Sequence, residues 1–290
     1  MTLIVEARNH TVGGMPVRRP LPTRQRRTVG PFVFLDELGP VILPVGVGMD
    51  VRPHPHIGLA TLTYRLSGEL IHRDSLGCTQ AIRPGEVNVM TAGRGVTHSE
   101  RSADSERNPA CEVHGVQLWI GLEGDAEQTE PSFEHQPESA LPKLRRGPVE
   151  LRVLIGRAFE TQAPGRVHAP IFCVDALWAD DGELLLDPAH GERGVYPLIG
   201  ECTLDGQHVP PGHLGVCDDE DAGRLTATAG TRLLLLGGAP RRAPLHMHWN
   251  YVASDPQRLE EAKRRWADGE FPPVVGDADS PEPDPAQAPR

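Results

Sequence analysis

The residues of this chain best suited to hold a metal ion are His54 and His56, in Pro53-His54-Pro55-His56, and His98 and Glu100, in Thr97-His98-Ser99-Glu100. Each pair is spaced by two. On a β-strand, side chains alternate between faces, so each pair projects to one side. Two such strands facing each other would bring three imidazoles and a carboxylate to one point. Neutral imidazole nitrogen and carboxylate oxygen are ligands for first-row divalent metals. Three histidines and one acid leave coordination positions open, which a catalytic metal needs and a closed structural site does not. The expectation is one mononuclear centre ligated by His54, His56, His98 and Glu100.

Prolines 53 and 55 hold the first pair extended, and the downstream HxE with both glycine turns, which fit one site, argues against a surface loop with two chance histidines. The other histidines read differently. His72 sits on a strand next to Asp74 and is expected to be a hydrogen-bonded structural residue. His114 precedes the strand Val116 to Leu122 and is expected to line or brace a barrel. His135 is expected to face solvent. A second HxH, His246 and His248, lacks a nearby carboxylate and a glycine-framed partner motif, so it is expected to pack rather than to bind metal.

The elements around the first two motifs follow a fixed order. Gly48 stands six residues before His54. A strand runs from Leu59 to Leu66 and ends at the turn Ser67-Gly68-Glu69. A second strand covers Leu70 to Arg73, and Asp74-Ser75-Leu76-Gly77 turns it. Pro84-Gly85 opens another turn, and Ala92-Gly93-Arg94-Gly95 leads into His98. This order resembles the cupin barrel motifs. More narrowly, HPHIGLATLTY, GELIHRDSLG, IRPGEVNVMTAGRGVTHSE and HGVQLWIGL resemble the pirin family.

The resemblance implies an all-β, two-domain bicupin, with two double-stranded β-helix barrels and a C-terminal helix. It implies that Glu100 completes the ligand set, and it favours iron(II) as the ion. Many members carry a Glu four residues after the second histidine, where this chain has Ala60; that departure bears on a substrate or supporting role and not on the ligands. Pirins resemble flavonol 2,3-dioxygenases, which implies a small aromatic substrate such as a flavonol and a base role for Glu100. Few aromatics are present, so a stacking pocket would rest on residues such as Phe34, Tyr64 and Trp119. Pirins are also associated with transcription factors and metabolic enzymes, which implies the alternative of a metal- or redox-dependent regulatory protein with a protein partner and no turnover. A sugar-phosphate isomerase or another cupin enzyme is a third reading.

Composition sets the outer bounds. The 290 residues carry a net charge of −11, with 38% hydrophobic and 24% charged content. This suits a soluble globular protein and argues against a non-specific nucleic-acid binder, which needs a basic face. Five cysteines form no CxxC pair and read as reduced thiols in a cytoplasmic protein. No run of 18 apolar residues suggests a membrane span. A monomer is expected.

The expected domains are a metal-binding barrel over residues 1–125, an acidic linker over 126–148, and a metal-free cupin-like barrel with the helix over 149–275. Ser254 or Asp255 caps that helix, with Pro256 in its first turn and Leu259, Ala262 and Trp266 on one face. In the second barrel only His190 stands where the first has its HxH. Residues 276–290 have almost no apolar bulk and are expected to be disordered. The arginines at 18, 19, 24, 26 and 27 are expected to pair with the acidic remainder, and Asp36 and Glu37 to face opposite sides of a strand.

Overall fold

The computed structural model describes residues 2–108 and 110–286. Short β-strands account for nearly all regular structure, joined by 3-10 turns and a single described α-helix, Pro256–Ala267. The all-β expectation holds, and no described helix is long and apolar enough to cross a membrane.

The chain divides into two compact units, and neither is contiguous. One comprises residues 1–9, 18–36 and 136–241; the other comprises 10–17, 37–135 and 242–290. This differs from the expected contiguous order. The helix and the segment after it belong to the unit that carries the histidine motifs. Leu259 and Ala262 of the helix join Ile57, Tyr251, Ala253 and Phe271 in one buried cluster, which gives the apolar face of the helix its partner beside His56. The helix starts as expected: the Asp255 side chain accepts the Gln257 amide at 2.9 Å, and Pro256 follows it.

The 136–241 unit holds an eight-stranded sheet and a four-stranded sheet. The first runs through Leu3–Glu6, His213–Cys217, Glu192–Ile199, Arg232–Gly238, Ile171–Trp178, Val149–Ala158 and Lys143–Arg146, with Thr161–Gln162 pairing Val149–Ala158 off this path. The apolar run Leu233 to Leu236 is fully buried, as its length suggests. Inward positions are almost uniformly apolar, among them Val149, Leu151, Val153, Phe172, Val174 and Trp178. Of the five arginines expected to pair, two meet acids here: Arg19 clamps Asp36 at 2.6 and 2.7 Å, and Arg26 meets Glu192 at 2.6 Å.

The unit carrying the motifs has a four-stranded sheet in the order Asp50–His56, Val96–Ser102, Leu70–Asp74, Thr79–Ile82. The Asp50–His56 strand lies at its edge, where Pro53 and Pro55 cost no ladder hydrogen bonds on the open side. Leu59–Ser67, Val87–Thr91, Cys111–Gly121 and Ser132–Gln136 belong to a second sheet. Two glycines set the turns that lead into the motifs. A Cβ on Gly58 would lie 1.9 Å from Val252 O and one on Gly93 2.0 Å from Thr129 O, and both have positive φ. The Gly58 amide donates to Gly93 O at 2.8 Å, which ties the two turns together.

Two expectations need correction. The segment 126–148 is not a plain linker: it contributes the strands Ser132–Gln136 and Lys143–Arg146. The final segment, as far as residue 286, is docked. Arg52 donates to both oxygens of Glu282 at 2.9 and 2.8 Å, and the Glu282 amide donates to Pro53 O at 2.8 Å. Arg101 bonds Asp277 at 3.0 Å and Asp279 at 2.8 Å, and the His248 ring lies 2.9 Å from Asp284, which is 1% exposed. A segment poor in apolar residues is ordered here by acids that find basic partners. Residues 287–290 lie outside the described residues.

Candidate metal centre

The sheet register builds the site. On the Val96–Ser102 strand, His98 stands opposite His54 on one side and Asp74 on the other. Glu100 stands opposite Val51 and His72, and the ladder to the Asp50–His56 strand shifts between His98 and Glu100. Three adjacent strands therefore each present two polar residues spaced by two: His54 and His56, His98 and Glu100, His72 and Asp74.

His54, His56 and His98 each offer a ligand nitrogen, and these atoms lie within 4.8 Å of one another. The rings are 7%, 1% and 1% exposed. Burial pulls the His54 imidazole down to about 4 and holds those of His56 and His98 well below their ordinary value, so all three are neutral at pH 7. Neutral imidazole is the form that ligates metal.

The outer ring nitrogens settle which nitrogen is free. His54 Nδ1 lies 2.8 Å from Arg52 O and His56 Nδ1 3.0 Å from Asn250 O. A carbonyl only accepts, so both rings carry their proton on Nδ1 and turn an unprotonated Nε2 inward. His56 Nε2 and His98 Nε2 are 3.0 Å apart. Two facing lone pairs at that distance repel unless a cation or a proton lies between them. The donor set thus fits a divalent ion, with backbone carbonyls holding the ligand rings from outside.

Glu100 stands beside this trio and not within the group of mutually close donors. It is 7% exposed; burial pushes its carboxyl above the ordinary carboxylate range, while His72 and Arg65 oppose that shift. The ladder to the Asp50–His56 strand shifts after His98 and sets Glu100 across from Val51 instead of Arg52, which goes with its offset from the trio. Arg65, passed over by sequence reasoning, is 1% exposed with Nε and Nη1 unpaired, and burial pulls it down to about 10. Its even spacing from Thr61 and Thr63 on one strand is the sequence signal for an inward polar row.

The remaining sequence candidates separate clearly. Trp119 meets His56 edge-on, with ring centroids 5.2 Å apart, and walls the site. Phe34 lies under the Arg19 guanidinium at 4.4 Å, and Tyr64 is fully buried opposite Val116 and Val87, so neither offers an open stacking face. His114 is a brace, 2.9 Å from Glu37 Oε1, while Asp36 turns to Arg19; adjacent strand residues face opposite ways as expected. His135 does not face solvent freely: its Nδ1 lies 2.8 Å from Asn88 Oδ1. His246–His248 forms a short strand against Tyr251–Ala253, and His248 is engaged by Asp284. Ala60 is buried between Thr91 and Ile120. His190 packs on Phe172, with ring centroids 4.4 Å apart.

Two β-barrels, one holding a three-histidine pocket, define a bicupin with a site suited to a divalent metal. Residues 14–120 match the family model described as Pirin, and residues 173–272 match the one described as Pirin C-terminal cupin domain. The chain belongs to the pirin family. A Pseudomonas aeruginosa relative, provisionally named a quercetin 2,3-dioxygenase, is 41% identical over 261 residues, covering 89% of this chain and 81% of its own. A pirin-like protein of Caulobacter vibrioides is 38% identical over 270 residues, covering 92% and 93%. The crystal structure of an Acinetobacter baumannii quercetin 2,3-dioxygenase superposes with a TM-score of 0.91 at 34% identity, covering 100% of this chain and 96% of the other.

Proposed function

We propose that the chain is a mononuclear metal-dependent dioxygenase of the quercetin 2,3-dioxygenase type, acting on a flavonol. The observation that carries this reading is the trio of buried imidazoles with mutually close ligand nitrogens, two of which turn a free Nε2 inward. The names of the Pseudomonas and Acinetobacter relatives supply the reaction class. His54, His56 and His98 would hold the ion, Glu100 would supply the anionic donor, and the family resemblance favours iron(II). When bound, the ion supplies a Lewis acid for the substrate hydroxyl and an open position for dioxygen.

The protein's own residues do the rest. Glu100 takes the hydroxyl proton onto a carboxylate oxygen, a role that a burial-raised carboxyl suits better than an ordinary one. Trp119 offers an apolar wall beside His56. The buried rings keep water from competing for the inner nitrogens. The test is anaerobic iron loading, then addition of quercetin and air. Loss of flavonol absorbance with release of carbon monoxide is expected, and a His54→Ala variant should lack both. No turnover above that variant would contradict the reading.

A further inference from the structure

The third polar pair, His72 and Asp74, has no ligand role in the reading above, yet both residues are buried against the site. Asp74 is fully buried and His72 is 4% exposed. Asp74 Oδ1 accepts the Leu76 and Cys78 amides at 2.9 and 3.0 Å, so the turn fixes the carboxylate. Its other oxygen, Oδ2, lies 2.9 Å from His72 Nε2. Phe133 stacks on the His72 ring, centroids 4.4 Å apart and planes 22° apart, which fixes the ring's plane. His72 Nδ1 then lies 3.3 Å from His98 Nδ1.

Each link decides the next. The carboxylate accepts, so His72 carries its proton on Nε2 and presents a lone pair at Nδ1. That lone pair accepts from His98, so His98 carries its proton on Nδ1 and leaves Nε2 bare toward His56 and His54. The other two ligand rings get the same orientation from backbone carbonyls. Among the described residues no backbone carbonyl holds His98 Nδ1; a side-chain relay does that work.

We infer that His72 and Asp74 are positioning residues that set the tautomer and ring orientation of His98 for metal binding. The inference rests on the metal-centre reading, and its first test keeps the two apart: failure to bind zinc(II) at all would sink the centre, whereas the position of the His98 proton in the loaded protein decides the relay. With histidine labelled in nitrogen-15, the ring shifts of the zinc(II)-loaded protein should place the His98 proton on Nδ1 and the ion on Nε2. A proton on Nε2 would overturn the relay, whatever the protein's activity.

The second test is Asp74→Asn. If the side-chain oxygen stays in the turn, the amide NH2 faces His72 Nε2 and makes it an acceptor. The His72 proton then moves to Nδ1 and that of His98 to Nε2, which blocks the ligand nitrogen. Chelator competition with cobalt(II) should show roughly 10- to 100-fold weaker binding, the size expected when a partner of a ligand histidine is lost. The visible spectrum of the cobalt form should also change. His72→Phe keeps the ring stack and removes the relay; it should weaken cobalt binding similarly and serves if the first variant fails to fold. Parental cobalt affinity and spectrum in a folded variant would overturn the proposal. Should neither variant fold, the nitrogen-15 shifts of the parent decide alone. Loss of quercetin turnover without loss of cobalt affinity would count against the relay and leave the metal centre standing.

Discussion

The two barrels put opposite chemistry behind the same strand alternation. In the 136–241 unit, the inward residues are Val149, Leu151, Val153, Phe172, Val174, Trp178 and their apolar neighbours. In the other, one sheet turns His54, His56, His72, Asp74, His98 and Glu100 inward. Apolar burial of the first kind stabilises without further conditions. Burying imidazoles and carboxyls is unfavourable unless each polar atom has a partner, and in the barrel with the histidine motifs those partners are carbonyls, one another and, in the proposed centre, an ion. One barrel is therefore read as the stable scaffold, and the other as the place where stability is exchanged for a site.

The sharpest way to break that contrast is a cavity in each unit. Trp178→Ala empties a fully buried site in the apolar barrel and should cost about 3–5 kcal/mol in denaturant unfolding. It should leave metal affinity per folded molecule unchanged. Leu259→Ala removes the helix's anchor against Ile57 and Tyr251; about 2–5 kcal/mol is expected. That variant should also weaken metal binding, because Ile57 follows His56 and Asn250 O holds its ring. If the Trp178 variant rather than the Leu259 variant altered metal affinity, the contrast would fail.

A smaller effect separates the units by pH. The His54 imidazole is held down to about 4, well below the roughly 6.5 of an unfolded chain. Between those values the unfolded state binds more protons than the folded one, so stability is complete above about 6.5 and falls as pH drops toward 4. His54→Gln should flatten the decline in Tm of the metal-free protein over that window. An unchanged slope would mean that the buried ring does not titrate as its surroundings imply.

The smallest effect concerns the final segment. The Arg52–Glu282 pair is 42% and 33% exposed at its side chains, so Glu282→Gln should leave global stability nearly unchanged. It should raise proteolytic sensitivity near residues 276–286. Unchanged sensitivity would show that the other acids hold the segment without it.

These contrasts also show what the sequence carries. The histidine pairs are legible because strand periodicity is two and their spacing is two, and the glycine turns are legible because Gly58 and Gly93 leave no room for a Cβ. The relay through His72 was only half visible: its bond to Asp74 is local, but its approach to His98 depends on a register that joins strands 26 residues apart. The offset of Glu100 was invisible because it follows a ladder shift, and spacing alone does not locate shifts. The docked final segment ran against its composition. Disorder rules weigh apolar bulk, whereas Asp277, Glu282 and Asp284 are held by Arg101, Arg52 and His248.

The central claim is that three distant imidazoles form one cation site. Anaerobic titration of the purified protein with iron(II) or cobalt(II), read by metal content after gel filtration, tests it directly. One ion per chain is expected, reduced to background in His98→Ala while the circular dichroism of the fold is kept. A folded His98→Ala variant that retains one tightly bound ion would contradict the account.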